Sequence, residues 1–557
     1  MRSPRLRGPY LRAALRLLDT APGLALARRH TFAAYGMDAL ERVDLRTLEH
    51  IDHEPRPVSA GLPKQWAAAD LPPPTPSRTS CADLTAAYRS GEMTPLEVLD
   101  AIRAHVEAER FGDVTWSPFI TLDWERAQTA ARESTARYAE GRPIGPLDGV
   151  PVPVKDEVHF AGLPTYGGTR WRSAPEEQDG FAARRLRAAG AVLFGKTHTT
   201  EWGMSPVGIN PHWDMPRNAW DPDRAAGGSS SGTAAAVALG LGPVGLGSDG
   251  GGSIRIPSSL QGLYGLKPTF SRVGRGGDVF GVGSVAVIGP IGVSTRCLVD
   301  FMSAFDEAPD PEDYATAYAP AGAAWPAWDR ALGRGVKGAR IGVPRALWER
   351  ADPRIVEACE AAVAALCERG AKRVDIEVPF ADLAHAIGVL SIGPETAAGL
   401  ASAEPDHGED AGGELQLQLK LIGAVTSQEY LRAQRVRAAL RRRTAEALKR
   451  VDVIALPTTA TPAPVYLRSE NRVHVADDDA VRDMCAFAFL ANLTGLPAGT
   501  APIGRVDGLP VGMQFVGDAW DEASVIALLA ECERAGIARC DAPDAALAPL
   551  GGLPSQS

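Results

Sequence analysis

Cysteine is sparse in this chain, and its spacing excludes more than its number does. The seven cysteines are scattered, odd in number and never arranged C-x-x-C. That pattern is at odds with a disulfide scaffold or a cysteine-built zinc site and fits reduced thiols in a cytoplasm. The ten histidines show no H-E-x-x-H or paired Cys/His spacing, so no metal and no cofactor is expected. A basic excess is missing too. The net charge of −10 at pH 7 indicates no global nucleic-acid-binding surface. No run approaches the roughly 18 to 20 apolar residues of a membrane span.

What remains is an ordinary globular composition, 45% apolar and 23% charged over 557 residues, with ample material for a core. Length alone would suggest three or four domains, although large α/β enzymes often form one. The segment from Leu84 to Arg110 reads as paired helices, with Thr94 as N-cap and Pro95 in the first turn. Ala191–Lys196, Ala339–Pro344 and Val451–Thr459 read as buried strands. Pro353–Val378 reads as helix, glycine stop and strand, and Ser427–Arg450 as a long charged helix. This alternation predicts an α/β fold. From about Asp300 to Lys420, stretches rich in Ala, Pro, Glu and Gly (317–335 and 401–416) read as exposed loops, where substrate choice usually resides.

The N-terminus is set apart. Residues 1–30 carry seven arginines against one acid, Asp19, and Arg12, Arg16 and Asp19 interrupt any signal-peptide core. A basic amphipathic helix can lie on a membrane; the favoured reading is a helix packed on the protein's own surface or against a twin protomer, which would make a homodimer. A proline-rich linker, Leu71–Ser80, follows. The expected division is an extension with linker over 1–75, a main domain over 76–545 and a tail over 546–557.

Three motifs in the chain imitate other chemistries. Gly228–Gly232 fits the G-x-S-x-G nucleophile elbow with Ser230 at its centre, but a polar loop containing Pro222 precedes it where a strand is required. Gly240–Gly245 fits G-x-G-x-x-G but follows an Ala-rich helical pattern. Gly190–Thr197 fits the phosphate loop, yet its middle residues, Ala191–Phe194, read as the strand itself and Gly190 as a helix stop.

The informative stretch is Gly227–Thr269, which holds two serines in glycine-rich settings, Ser229 and Ser253. Upstream, Lys155 ends the apolar run VPVPVK. Two hydroxyls and such a lysine are the parts of a nucleophilic hydrolase that needs no histidine. A lysine serves as base only when neutral; free lysine titrates near 10.4, and burial is what removes its charge. Glycines let backbone N–H groups approach a developing oxyanion.

The segments GVPVPVKD, GGSSSG, GSDGGGSIRIPSS and GLYGLKPT, in this order, resemble the amidase signature family, with further matches in ANLTGLPAGTAPIG and DGLPVGMQFVG. The resemblance implies a mixed β-sheet flanked by α-helices and hydrolysis of carboxamides, with esters or carbamates as side substrates. It implies Ser253 as nucleophile, Ser229 as bridging serine after a cis peptide, Lys155 as base, and the N–H groups of Gly250, Gly251, Gly252 and Ser253 as the oxyanion hole. Gly250, Ser231 and Gln261 depart from the commonest pattern, which bears on pocket shape and removes no catalytic group. Ser230 either hydrogen-bonds the triad or caps the following helix. Asp249 and Arg255 read as a buried ion pair, and Asp156 as an orienter of the base or part of that network. Trp202 and Met204 resemble a pocket-lining segment that Tyr166 joins.

Three functions follow. The first, preferred, is a stand-alone amidase acting on a small carboxamide through an acyl-enzyme. The second is a glutamine-hydrolysing transamidating subunit with obligate partners, and the third a silent scaffold.

Overall fold

The strands of this chain are short and mostly buried on both faces, so the sheet they form has to be covered by helices. The computed structural model describes residues 5–45, 48, 66, 78–109, 115–279, 283–306, 309–313, 315–316 and 325–546. In chain order the strands are β1 (Leu6–Arg7), β2 (Phe119–Leu122), β3 (Val154–Lys155), β4 (Gly195–Thr197), β5 (Val244–Asp249), β6 (Tyr264–Lys267) and β7 (Val287–Gly292). They continue with β8 (Arg340–Val343), β9 (Lys372–Asp375), β10 (Val453–Pro457), β11 (Val475–Ala476), β12 (Ala498–Val506) and β13 (Leu509–Gly517). Eleven of them form one sheet in the order β2-β4-β3-β5-β7-β6-β12-β13-β10-β8-β9, and β1 pairs with β11 apart from it. The sheet is mixed: β3 runs parallel to β4 and β5, β8 parallel to β9 and β10, and β5–β7 and β12–β13 are antiparallel. The α/β expectation holds.

Most of the expected elements form. Helices run over Cys81–Ser90 and Pro95–Glu109, and Thr94 and Glu97 close a reciprocal cap at the second. The Pro353–Glu368 helix ends before Gly370, whose φ of +96° suits glycine alone, and β9 follows. The Ser427–Leu448 helix lies where the charged pattern placed it.

Two expectations need correction. The Ala191–Lys196 run is fully buried, but ladder pairing starts only at Gly195. Pro151 and Pro153 on the neighbouring chain lack N–H donors, so only an isolated bridge, Pro151 to Val192, forms beside them. Neither stretch expected to be exposed loop is so throughout: residues 317–324 lie outside the described residues, Trp328–Leu332 is a helix with Trp328, Ala331 and Leu332 buried, and 401–416 is not one loop. The helix Ala384–Ala403 enters it, the helix Gly413–Gly423 leaves it, and only the residues between are irregular. Packing decides here: Leu390, Leu400 and Leu415 are buried, and the helix tolerates Pro394.

The first two helices, Gly8–Leu18 and Ala21–Ala34, are joined at Thr20, whose hydroxyl accepts the Gly23 N–H at 3.2 Å. Leu11 and Leu18 pack with Leu417, which lays the first helix on the Gly413–Gly423 helix. Residues 71–77 of the proline-rich linker and residues 547–557 of the tail lie outside the described residues. Among the described residues no helix is long and apolar enough to cross a membrane. All seven cysteines are free thiols.

Gly190 caps the Phe181–Ala188 helix at φ +84°, and a Cβ there would stand 2.7 Å from Asp148 Oδ1. Asp148 in turn holds Arg137 and Ser134. Gly190→Ala should lower the unfolding free energy by about 1–3 kcal/mol, read by urea denaturation. An unchanged midpoint would contradict the helix-stop role.

Candidate active site

The apolar run ahead of Lys155 does what its composition suggests. Val150, Val152 and Val154 are completely buried, and β3 carries Lys155 into the interior with its side chain fully enclosed. A buried amino group needs partners for its N–H groups, and three oxygen atoms surround this one. Nζ donates to Ser229 Oγ at 2.7 Å and to Ser248 Oγ at 2.8 Å, and pairs with Glu157 Oε1 at 2.5 Å. Glu157 is itself buried; its Oε2 accepts the Ser248 hydroxyl at 2.5 Å and its Oε1 the Thr199 hydroxyl at 3.2 Å.

Ser248 and Glu157 were not singled out from the sequence. Glu157 lies two residues beyond Lys155 in the same motif, and a second acid after K-D was the available signal. Asp156, the acid next to Lys155, turns away to a second buried lysine, Lys196, at 2.8 Å. Burial raises the Asp156 carboxyl to about 6 against the pull of Lys196. Lys196 is also bound by Thr165 Oγ1 and the Pro164 carbonyl, so the lysine of the phosphate-loop look-alike already has its partners.

Ser229 follows a cis peptide, Gly228–Ser229, just before the Ser231–Ala238 helix. Ser230 does not cap that helix with its side chain. Its hydroxyl donates to the Ser248 carbonyl at 3.2 Å and accepts the Ser248 N–H at 3.3 Å, while its N–H donates to the Ser253 carbonyl at 3.3 Å. Ser230 therefore ties together the strands of chain that carry Ser229, Ser248 and Ser253.

The turn after β5 is held by Asp249 and Arg255, paired at 3.0 Å with both side chains fully buried. Asp249 also accepts the N–H groups of Gly252 at 2.7 Å and Ile254 at 3.2 Å. Burial acts to raise its carboxyl; Arg255, with Asn492 and Lys267, outweighs this and holds it well below the usual carboxylate range. Arg255 reaches on to Gln514 and Asn492, each at 2.6 Å, so the two C-terminal motifs lock the serine turn. Gly252, expected in the oxyanion hole, is corrected: its N–H is taken by Asp249. Among the described residues the N–H groups of Gly250, Gly251 and Ser253 meet no acceptor. A Cβ at Gly251 would lie 2.7 Å from the Phe489 ring, whereas one at Gly250 would meet only the tip of Ile392 at 2.9 Å.

Ser229, Ser248, Gly250, Gly251 and Ser253 all border one cavity of about 1510 Å³, its open mouth included. Trp202 and Met204 line this cavity, and Tyr166 does not. The Tyr166 ring packs edge-on against Trp213, 4.9 Å between centroids, and its N–H binds Asp156. The walls come from segments that sequence motifs did not mark: Phe32 and Tyr35 near the N-terminus, Ile392 and Ile422 on two later helices, and Phe489. Tyr35 is fixed by a hydrogen bond to Asp478 at 3.0 Å.

Removing the Asp249 carboxylate leaves Arg255 buried without its counter-charge. Asp249→Ala should therefore cost about 3–5 kcal/mol of stability in denaturant unfolding. A loss below about 1 kcal/mol would contradict the clamp.

The Amidase family profile matches residues 101–526. A fatty acid amide hydrolase of Arabidopsis thaliana is 34% identical over 81% of this chain and 75% of that protein. A glutamyl-tRNA(Gln) amidotransferase subunit of Chloroflexus aurantiacus is 33% identical over 79% of this chain and 93% of that protein. Among solved structures, native peptide amidase from Stenotrophomonas maltophilia superposes with a TM-score of 0.69 at 27% identity, covering 84% of this chain and 99% of that one. With a family match over most of its length, a mixed sheet of the same fold and relatives that cleave amides, this chain belongs to the Amidase family, the amidase signature enzymes, hydrolases of carbon–nitrogen bonds.

Proposed function

We propose that the chain hydrolyses carboxamides carrying an extended apolar group, through an acyl-enzyme on Ser253. The observation that carries this reading is the 2.7 Å contact between Lys155 Nζ and Ser229 Oγ at the floor of an apolar cavity that Ser253 also borders. Ser253 Oγ attacks the amide carbonyl carbon; its proton passes to Ser229, and that of Ser229 to Lys155. The oxyanion is met by the N–H groups of Gly250, Gly251 and Ser253. The relay then reverses, the leaving nitrogen takes the proton as the C–N bond breaks, and water repeats the attack to release the acid.

The cavity walls favour this over glutamine as substrate. Phe32, Tyr35, Ile392, Ile422 and Phe489 offer little to a polar amide side chain and much to hydrocarbon or aryl groups. The fatty acid amide hydrolase relative points the same way. The buried, fully partnered lysine argues against a silent scaffold.

Ser253→Ala should abolish amide hydrolysis, and Ser229→Ala and Lys155→Ala should each lower kcat/KM by roughly 10²–10⁴-fold, as loss of proton transfer does. Wild-type turnover by Ser253→Ala would refute the assignment. Across a series of linear acyl anilides, each added methylene should raise kcat/KM about fourfold until the cavity is filled, the equivalent of about 0.8 kcal/mol per buried CH₂. A flat or falling series would contradict an apolar acyl site.

A further inference from the structure

We infer that Glu157 is the proton-holding partner of Lys155, so that the base of the Ser253–Ser229–Lys155 relay is a lysine–glutamate pair sharing protons and not a lone neutral lysine. The inference rests on the amidase reading above. Its ground is geometric. Glu157 Oε1 lies 2.5 Å from Lys155 Nζ, with both side chains removed from solvent. Ser248 Oγ bridges them, accepting from Nζ at 2.8 Å and donating to Glu157 Oε2 at 2.5 Å.

The proton count explains why this matters. An Nζ that already donates to Ser229, Ser248 and Glu157 as an ammonium has no lone pair with which to take a proton from Ser229. It can take one only by releasing another, and Glu157 is the base in contact with it. When Ser253 Oγ bonds to the carbonyl carbon, its proton moves to Ser229 Oγ, the Ser229 proton moves to Nζ, and an Nζ proton moves to Glu157 Oε1. The result is a tetrahedral oxyanion, two serine side chains with one proton between them, an ammonium and a neutral carboxyl group. When the C–N bond breaks, each transfer reverses and the proton ends on the leaving nitrogen. No net charge is created in the buried site at any stage.

Other titratable groups lie close but are engaged elsewhere. On the neighbouring strand Lys196 is bound to Asp156. From the loop beyond β6, Arg275 borders the same cavity and pairs with Asp313, and Asp278 borders it as well. From the β4 side Glu157 receives the Thr199 hydroxyl. Glu157 acts through Lys155 and is a positioning residue with a readable signature.

That signature is the acid limb of the pH profile. In the wild type the competent pair carries a carboxylate, and acid silences it by protonating that carboxylate. In Glu157→Gln the amide accepts no proton, so competence requires an uncharged Nζ and the acid limb moves to higher pH. The test is the rate at which a small alkyl fluorophosphonate labels Ser253, followed by intact mass and peptide mapping from about pH 4 to 10. Wild type, Glu157→Gln and Glu157→Asp are compared, and Tm checks folding. The expected result is an acid limb at least about one pH unit higher in Glu157→Gln, a labelling rate at least roughly tenfold lower near neutral pH with recovery in alkali, and a near-normal limb in Glu157→Asp. An unmoved limb in folded Glu157→Gln overturns the inference, whatever the loss in rate, because a packing role lowers rate at every pH alike. Should Glu157→Gln not fold, the Glu157→Asp arm decides: labelling within roughly tenfold of the wild type near neutral pH supports the pair, because the carboxylate is kept, and loss of labelling at every pH in the folded variant overturns it. Failure of the wild type to label on Ser253 overturns the amidase assignment and this inference together.

Discussion

A lysine side chain enclosed on every side is the constraint around which this site is organised. Unpaired charge is too costly to leave in a protein interior, so the residues that touch Lys155 are determined by its need for partners as much as by catalysis. Two hydroxyls and one carboxylate meet it, supplied by β5, by the turn after the cis peptide and by the residues just beyond β3. The same contacts that satisfy the lysine bring Ser229 to it, and Ser230 ties Ser229 to the backbone of Ser253. Structural satisfaction and chemical readiness are here one arrangement.

The turn carrying Ser253 is held from a distance. Arg255 is gripped by Asp249 on its own turn and by Asn492 and Gln514, more than two hundred residues downstream. A carboxylate, an amide and a guanidinium, all buried, fix that backbone more tightly than hydrophobic contact would, since each donor has one direction in which it is satisfied. The cavity that Ser253 borders is assembled on the same plan of distant contributions. Its floor belongs to the glycine-rich centre of the chain, its walls to the N-terminal helices and to helices after residue 380. The N-terminal helices thus contribute to the site and not only to the surface.

The centre of the fold was legible because its signals are local. Apolar valines before Lys155, glycines around Ser253 and caps such as Thr94 act within a few residues, and the strands at Arg340 and Val453 stand in continuous apolar runs. What escaped depends on contacts between distant segments. Glu157 looks like any acid until the fold places its carboxylate against Lys155, and Ser248 reads as one more small residue in a strand. Tyr166 was drawn to the pocket by resemblance, but its ring found Trp213 instead. The helices flanking the 404–412 loop are poor in helix-favouring pattern, with glycines and Pro394 inside, and form because they have a cavity and a core to cover. Gly252 stands among the glycines before Ser253 and yet gives its N–H to Asp249, a detail that only the turn geometry decides.

The account stands or falls on Ser253 as the atom that is acylated. The direct measurement is to mix the protein with an apolar acyl anilide, quench in acid on the millisecond scale, and read intact mass with peptide mapping. The account predicts a transient mass gain equal to the acyl group, confined to the peptide holding Ser253 and absent from Ser253→Ala. An acyl group on Ser230 or Ser229, or turnover with no covalent adduct in a burst that accounts for every enzyme molecule, would contradict it.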